Sequence, residues 1–211
     1  PGGVAPSSAA NAGEALAPYQ SAQYEVGGKL DLGNVGASLA FFQTTQPSAT
    51  TDPTTNIYAA DGEQRNRGVE FSVFGELRPG LRLLGGVSVT EAKLTETAGG
   101  TNDGNDAVGV PLYQINAGAE WDCPWLEGLT FNARLLHTGR QYINTGNSQE
   151  IDSWTRIDMG ARFAQEIAGR EASFLLNVEN VANSGYWASS QGGYLVQGAP
   201  LTVKLSMSMD F

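Results

Sequence analysis

Residues 201–211 read LTVKLSMSMDF. Leu201, Val203, Leu205, Met207, Met209 and Phe211 fall on one side of an extended chain. Thr202, Lys204, Ser206, Ser208 and Asp210 fall on the other, because successive side chains of a strand point to opposite faces. One face suits hydrocarbon and the other suits water.

The same alternation recurs upstream. Tyr24, Val26, Gly28, Leu30 and Leu32 oppose Glu25, Lys29 and Asp31; after Gly33-Asn34, Val35, Ala37, Leu39 and Phe41 oppose Ser38 and Thr44. Val69, Phe71, Val73 and Leu77 oppose Glu70, Ser72 and Glu76; past Pro79-Gly80, Leu81, Leu83, Val87 and Val89 oppose Arg82, Ser88 and Thr90. Tyr113, Ile115, Ala117, Ala119 and Trp121 oppose Gln114, Asn116 and Glu120, and beyond Pro124 and Gly128 the set Leu129, Phe131, Ala133 and Leu135 opposes Thr130, Asn132 and Arg134. Ile157, Met159, Ala161 and Phe163 oppose Arg156, Asp158 and Arg162; past Gly169, Ala172, Phe174, Leu176 and Val178 oppose Ser173, Asn177 and Glu179. With the last strand, these hairpins predict about nine antiparallel strands.

Composition agrees with an all-β chain. In 211 residues there are 27 glycines, 41% hydrophobic and 16% charged residues, and no apolar window long enough for a transmembrane helix. The net charge of -10 sets nucleic acid aside as a partner, since phosphate binding needs surplus Lys and Arg. One cysteine, Cys123, and one histidine, His137, allow neither an internal disulfide nor the usual transition-metal sites. The Pro1-Gly2-Gly3 start lacks the basic and apolar regions of a secretory signal, as expected of a mature chain or an excised piece.

Connections alternate between short turns at Gly33, Gly80, Pro124 and Gly169 and long polar loops over 47–62, 95–111, 139–153 and 182–200. Alternation alone fits a soluble β-sandwich as well as a transmembrane β-barrel. Charge placement discriminates better: at the strand centres every Asp, Glu, Lys and Arg has the polar parity, as a lipid-facing surface demands. Tyr24 and Tyr113 stand at the long-loop ends, with Trp121, Phe163 and Phe211 at the short-turn ends, the placement of two interfacial girdles. Ten residue steps of about 3.3 Å, tilted by about 45°, also project close to a ~25 Å apolar band.

Several stretches carry more than pattern. PYQSAQYEVGGKLDL, DGEQRNRGVEFSVFGELRPGLRLLGGVSVTEAKL, NDAVGVPLYQINAGAEWD, WTRIDMGARFA, LLNVENVANSGYW and KLSMSMDF together resemble the C-terminal barrel region of TonB-dependent siderophore receptors. The resemblance runs from Tyr19 to Phe211 and implies about the last nine strands of a 22-stranded barrel. It implies that residues 1–20 belong to an extracellular loop and 21–211 to the barrel, with the plug domain and energy-coupling segment outside this sequence. It further implies an outer-membrane location, ferric siderophore as cargo with no resident cofactor, TonB as energy source through the missing N-terminal region, and no bond chemistry. Phe211 then serves as the signal for the barrel assembly machinery.

Aromatic side chains in the long loops are the expected ligand contacts, since siderophores are flat or amide-rich: Tyr142, Tyr186, Trp187 and Tyr194, each equally explicable as an anchor or as loop packing. Glu70, Glu76, Glu120, Arg134, Arg156, Asp158, Arg162 and Glu179 are expected to form a lumenal network facing the plug. Arg65 and Arg67 share the outward parity of Val69 unless a bulge intervenes near Gly68, which would set them at lipopolysaccharide phosphates or leave them as solvated rim charges. NDGND over 102–106 lacks the framing of a calcium loop and reads as a flexible loop. A hydrolase would need His137 as base, yet its parity is that of Leu135, away from the polar face. A passive porin or adhesin barrel is the other alternative, and haem or cobalamin are possible cargoes of related receptors.

Overall fold

The computed structural model describes residues 3–191 and 194–209; Phe211, assigned above to assembly, lies outside them. Its strands are β1 (Ala22–Asp31), β2 (Val35–Thr51), β3 (Tyr58–Arg78), β4 (Leu81–Glu96), β5 (Tyr113–Asp122), β6 (Leu129–Thr138), β7 (Gln141–Tyr142), β8 (Glu150–Ile151), β9 (Trp154–Ile167), β10 (Arg170–Glu179), β11 (Trp187–Gln191), β12 (Tyr194–Gln197) and β13 (Thr202–Met209). Nine of them form one antiparallel sheet in the order β1-β2-β3-β4-β5-β6-β9-β10-β13, while β7–β8 and β11–β12 make two small ladders inside the loops.

Register carries the alternation across the sheet. Leu81, Trp121, Phe131, Ala161, Leu176 and Leu205 are successive partners along one row. Glu76, Arg82, Glu120, Asn132, Gly160, Asn177 and Lys204 form the next row on the opposite face. Among the described residues the apolar face has no second sheet to bury it. Among the described residues the buried apolar side chains are small or peripheral, such as Ala92, Ala107, Ile151 and Ala172, whereas Leu205 is 77% exposed and Val26 70%. A sandwich would have placed those leucines and valines between two sheets, so that reading is overturned. Hydrocarbon is the solvent this face fits.

Aromatics frame the apolar rows. Tyr113 stacks on His137 at the long-loop end, and Trp121 meets Trp125 and Phe131 at the short-turn end. The short turns fall where expected and depend on left-handed backbone. Gly128 has φ +81, and a Cβ there would lie 2.0 Å from the Ala164 carbonyl oxygen. No larger residue fits between that turn and β9.

Two findings depart from the sequence reading. The expected loop over 47–62 is mostly strand, because β2 and β3 pair as far as Thr51 and Tyr58 and leave only 52–57 as turn. Asp52 closes that turn by accepting from the Thr54 and Thr55 amides at 2.8 and 2.7 Å, which holds its carboxyl below the usual range. The polar face is also interrupted. Phe74 and Leu84 are direct partners on it, both exposed, flanked in register by Gly36 and Gly118. The Phe74 ring occupies the space a Cβ on Gly36 would need.

Candidate functional site

The long connections gather over the upper end of the polar face. β9 enters that face with Trp154, whose register partner is Thr138 and whose parity is that of Arg156 and Asp158. The Tyr186 ring stacks on Trp154 with centroids 4.4 Å apart and planes at 25°. The Gly198 amide donates to the Tyr186 carbonyl oxygen at 2.9 Å, and only a glycine at 198 leaves room for the Tyr186 ring.

Behind the stack lies an ionic lattice. Arg156 grips Asp158 in a fork, Nε to Oδ1 at 2.7 Å and Nη2 to Oδ2 at 2.8 Å, and reaches Glu179 at 3.5 Å. The Tyr186 hydroxyl faces the same guanidinium. Lys204 pairs with Glu179 from β13. Arg156, Asp158 and Glu179 are all largely shielded from water, so the forked pair is stronger than an exposed one, for which about 0–1 kcal/mol is usual.

Asn180 ties this lattice to the last loop. Its side chain is wholly buried, at 0% exposure, and its φ of +52 turns the chain off β10. Its amide donates to Asp158 Oδ1 at 2.8 Å, its Nδ2 donates to the carbonyl oxygens of Ser184 and Ala199 at 2.9 Å, and its Oδ1 accepts from the Ser184 amide at 3.0 Å. Both ends of the β11–β12 excursion are thereby pinned to β9.

Below the stack, the sheet and the last loop enclose an open concavity of about 620 Å³, lined on the polar face by Glu70, Ser72, Ser88, Gln114, Asn116, Thr138 and Trp154, with Ala188 above. The Trp154 indole nitrogen is buried and has no hydrogen-bond partner, as are Gln141 Oε1 and Ser190 Oγ where neighbouring loops meet. An indole N–H is a donor only, and here its burial leaves it without a partner.

The four expected ligand aromatics do not converge. Tyr186 stacks on Trp154, while Trp187 and Tyr194 lie at opposite ends of the β11–β12 ladder and are 47% and 79% exposed. Tyr142 lies apart in the β7–β8 ladder, its carbonyl accepting from Gly109 at 2.9 Å. Trp154, the partner of Tyr186 in the stack, was not among the expected residues. Its signal was present in the sequence, as an aromatic of inward parity at the loop end of a strand.

The eight expected lumenal charges divide similarly. Arg156, Asp158 and Glu179 share the upper lattice. Glu120 and Arg162 join a lower one through residues not expected there: Arg82 binds Glu120 at 3.2 Å and forks onto Asp122 at 2.7 and 2.8 Å, and Thr130 bridges Asp122 and Arg162. Arg134 donates to Asn116 at 2.9 Å. Glu76 instead caps the short turn by accepting from the Gly80 amide at 2.8 Å, and Glu70 opens onto the concavity. His137 is on the outward face, its Nδ1 2.7 Å from Thr155 Oγ1 and its Nε2 3.3 Å from the Tyr113 hydroxyl.

Comparison with known proteins gives a consistent picture. The sequence profile of the family described as "TonB dependent receptor-like, beta-barrel" matches residues 2–181. The chain is 44% identical over 203 residues to the ferrichrome receptor FcuA of Yersinia enterocolitica, covering 95% of this chain and 27% of that receptor. It is 30% identical over 190 residues to the ferrichrome outer membrane transporter/phage receptor of Escherichia coli, covering 86% of this chain and 25% of the other. The crystal structure of BauA, the ferric preacinetobactin receptor of Acinetobacter baumannii, superposes with a TM-score of 0.89 at 40% identity over 100% of this chain and 32% of that one. The chain therefore spans about a quarter to a third of the length of such relatives.

Proposed function

Because this chain belongs to the TonB-dependent receptor β-barrel family, whose members are outer-membrane receptors rather than enzymes, we propose that it forms the C-terminal wall and part of the extracellular mouth of a receptor that takes up ferric siderophores. The observation that carries the proposal is the Trp154–Tyr186 stack above the polar concavity, with an unpartnered indole N–H beside it. An aromatic pair above a polar concavity matches a flat or amide-rich chelate.

The remaining length supplies the other parts of the reading. Phe74 and Leu84 leave apolar surface on the inner face, which suits contact with a plug contributed by the rest of the polypeptide and energised through TonB. Residues 1–20 are read as an extracellular loop: Asn11 binds the backbone of Tyr58, and Asn56 donates to the Ser8 carbonyl oxygen, at the tip of the β2–β3 hairpin. Phe211 is read as the contact for the barrel assembly machinery.

The test is equilibrium binding to the full-length receptor by fluorescence quenching, with ferrichrome and ferrioxamine B as probes. Replacing Trp154 and Tyr186 together by Ala should weaken binding of the accepted probe about tenfold or more, and Trp187 and Tyr194, apart from each other on the β11–β12 ladder, should contribute less. Unchanged binding in an assembled Trp154→Ala/Tyr186→Ala receptor would remove this site. Failure of the wild-type receptor to bind any ferric siderophore would favour a passive barrel.

A further inference from the structure

Glu70 and Trp154 stand at the two ends of one cross-strand row. The register runs Glu70, Ser88, Gln114, Thr138, Trp154 without a shift, so all five side chains share the inward face, and all five line the concavity. Four inter-strand steps of about 4.8 Å leave about 19 Å of wall between the carboxylate and the Trp154–Tyr186 stack. The three residues between them are neutral and offer only hydroxyl and amide groups.

No cation neutralises the far end of the row. The direct partners of Glu70 are Ala40 and Ser88, and its neighbours of like parity on β3 are Gly68 and Ser72. Among the described residues its carboxylate has no hydrogen-bond or ion-pair partner. Arg156 and Lys204 are held by Asp158 and Glu179. Arg134, three strands away on β6, donates to Asn116 and is the register partner of Asp158. Lys29 is two strands and one inward position away, between Glu25 and Asp31 on its own strand. Strand spacing and rise put its backbone about 12 Å from that of Glu70, beyond the Debye length of about 8 Å. Apart from the outward-facing His137, Glu70 is the one ionisable side chain lining the concavity among the described residues.

We infer that Glu70 is the residue that sets the charge of the cargo, and that it takes the ammonium tail of a ferric chelate whose core is uncharged. One face of the core lies on the aromatic stack, and the amides of the tail run along Ser88, Gln114 and Thr138. The tail ends in a charge-assisted hydrogen bond to the Glu70 carboxylate. An anionic chelate, such as a ferric tricatecholate, meets the same carboxylate as a like charge and is disfavoured. The inference rests on the uptake reading of this concavity and adds to it the charge that the concavity selects.

The test is equilibrium binding to the full-length receptor by fluorescence quenching, with ferrioxamine B, a linear ferric trihydroxamate with a free ammonium, and its N-acetylated form, which keeps the core and loses the charge. Wild type should bind ferrioxamine B about tenfold more tightly than the acetylated chelate, and added salt should narrow the gap. E70Q should bring ferrioxamine B down to the level of the acetylated chelate and leave the acetylated chelate unchanged. Equal binding of the two by wild type, a preference that survives in E70Q, or a loss of both chelates alike in E70Q would overturn the inference. A receptor that binds some other ferric siderophore but neither of these two would overturn it and leave the uptake proposal standing, whereas one that binds no ferric siderophore would end both.

Discussion

Asn180 shows how much one side chain can decide. Buried without charge, it satisfies the backbone of Ser184 and Ala199 with its amide group and passes its own N–H to Asp158, so the last loop and β9 share one joint. Asn180→Ala would leave three backbone groups without partners, at about 1–3 kcal/mol each. The expected result is faster hydrogen exchange through β11 and β12, by about a hundredfold, with the β10–β13 ladder protected as before. Unchanged exchange in the loop would mean that the joint is redundant. None of this was legible in ENVANSGYW beyond its resemblance, because the partners lie up to 22 residues away along the chain and meet only through folding. Trp154 differs: its inward parity could be counted directly from the neighbouring Arg156 and Asp158.

At the scale of the strand, period-two patterning was informative wherever one side meets hydrocarbon. From Val203 to Met207, and along the rows through Leu176, Phe131 and Val89, sequence parity and observed face agree. Pattern failed where that asymmetry ends. Above Phe41 and Val69, β2 and β3 continue past the apolar band, so ProSerAlaThrThr over 47–51 has no apolar alternation and was read as loop. The short elements β7, β8, β11 and β12 escaped for the same reason. Phe74 and Leu84 are opposite exceptions, apolar where the face is polar. The lipid-facing assignment makes a sharp demand of β13. In the full-length receptor, Leu205→Arg should impair assembly strongly, given about 2–4 kcal/mol for a cation near the midplane, while Ser206→Arg one residue away should be tolerated. Heat-resistant mobility of the folded receptor reads the difference, and equal effects would contradict the assigned faces.

At the scale of the whole sheet, nine strands with two unpaired edges and almost no interior among the described residues make sense as part of a larger closed wall. The share of the relatives' length that the chain covers agrees with that. The architecture was readable in advance because hydrocarbon imposes a rule on every strand, whereas the cargo imposes rules on only a few loop residues whose meeting depends on distant contacts. The claim that one face meets lipid and the other lines a filled passage is tested most directly by nitroxide scanning along 201–208 in the full-length receptor reconstituted in bilayers. Collisional relaxation by oxygen should peak at 203, 205 and 207 and fall at 204 and 206, a period of two that mirrors the observed faces. A flat profile, or one with oxygen exposure highest at 204 and 206, would contradict the account.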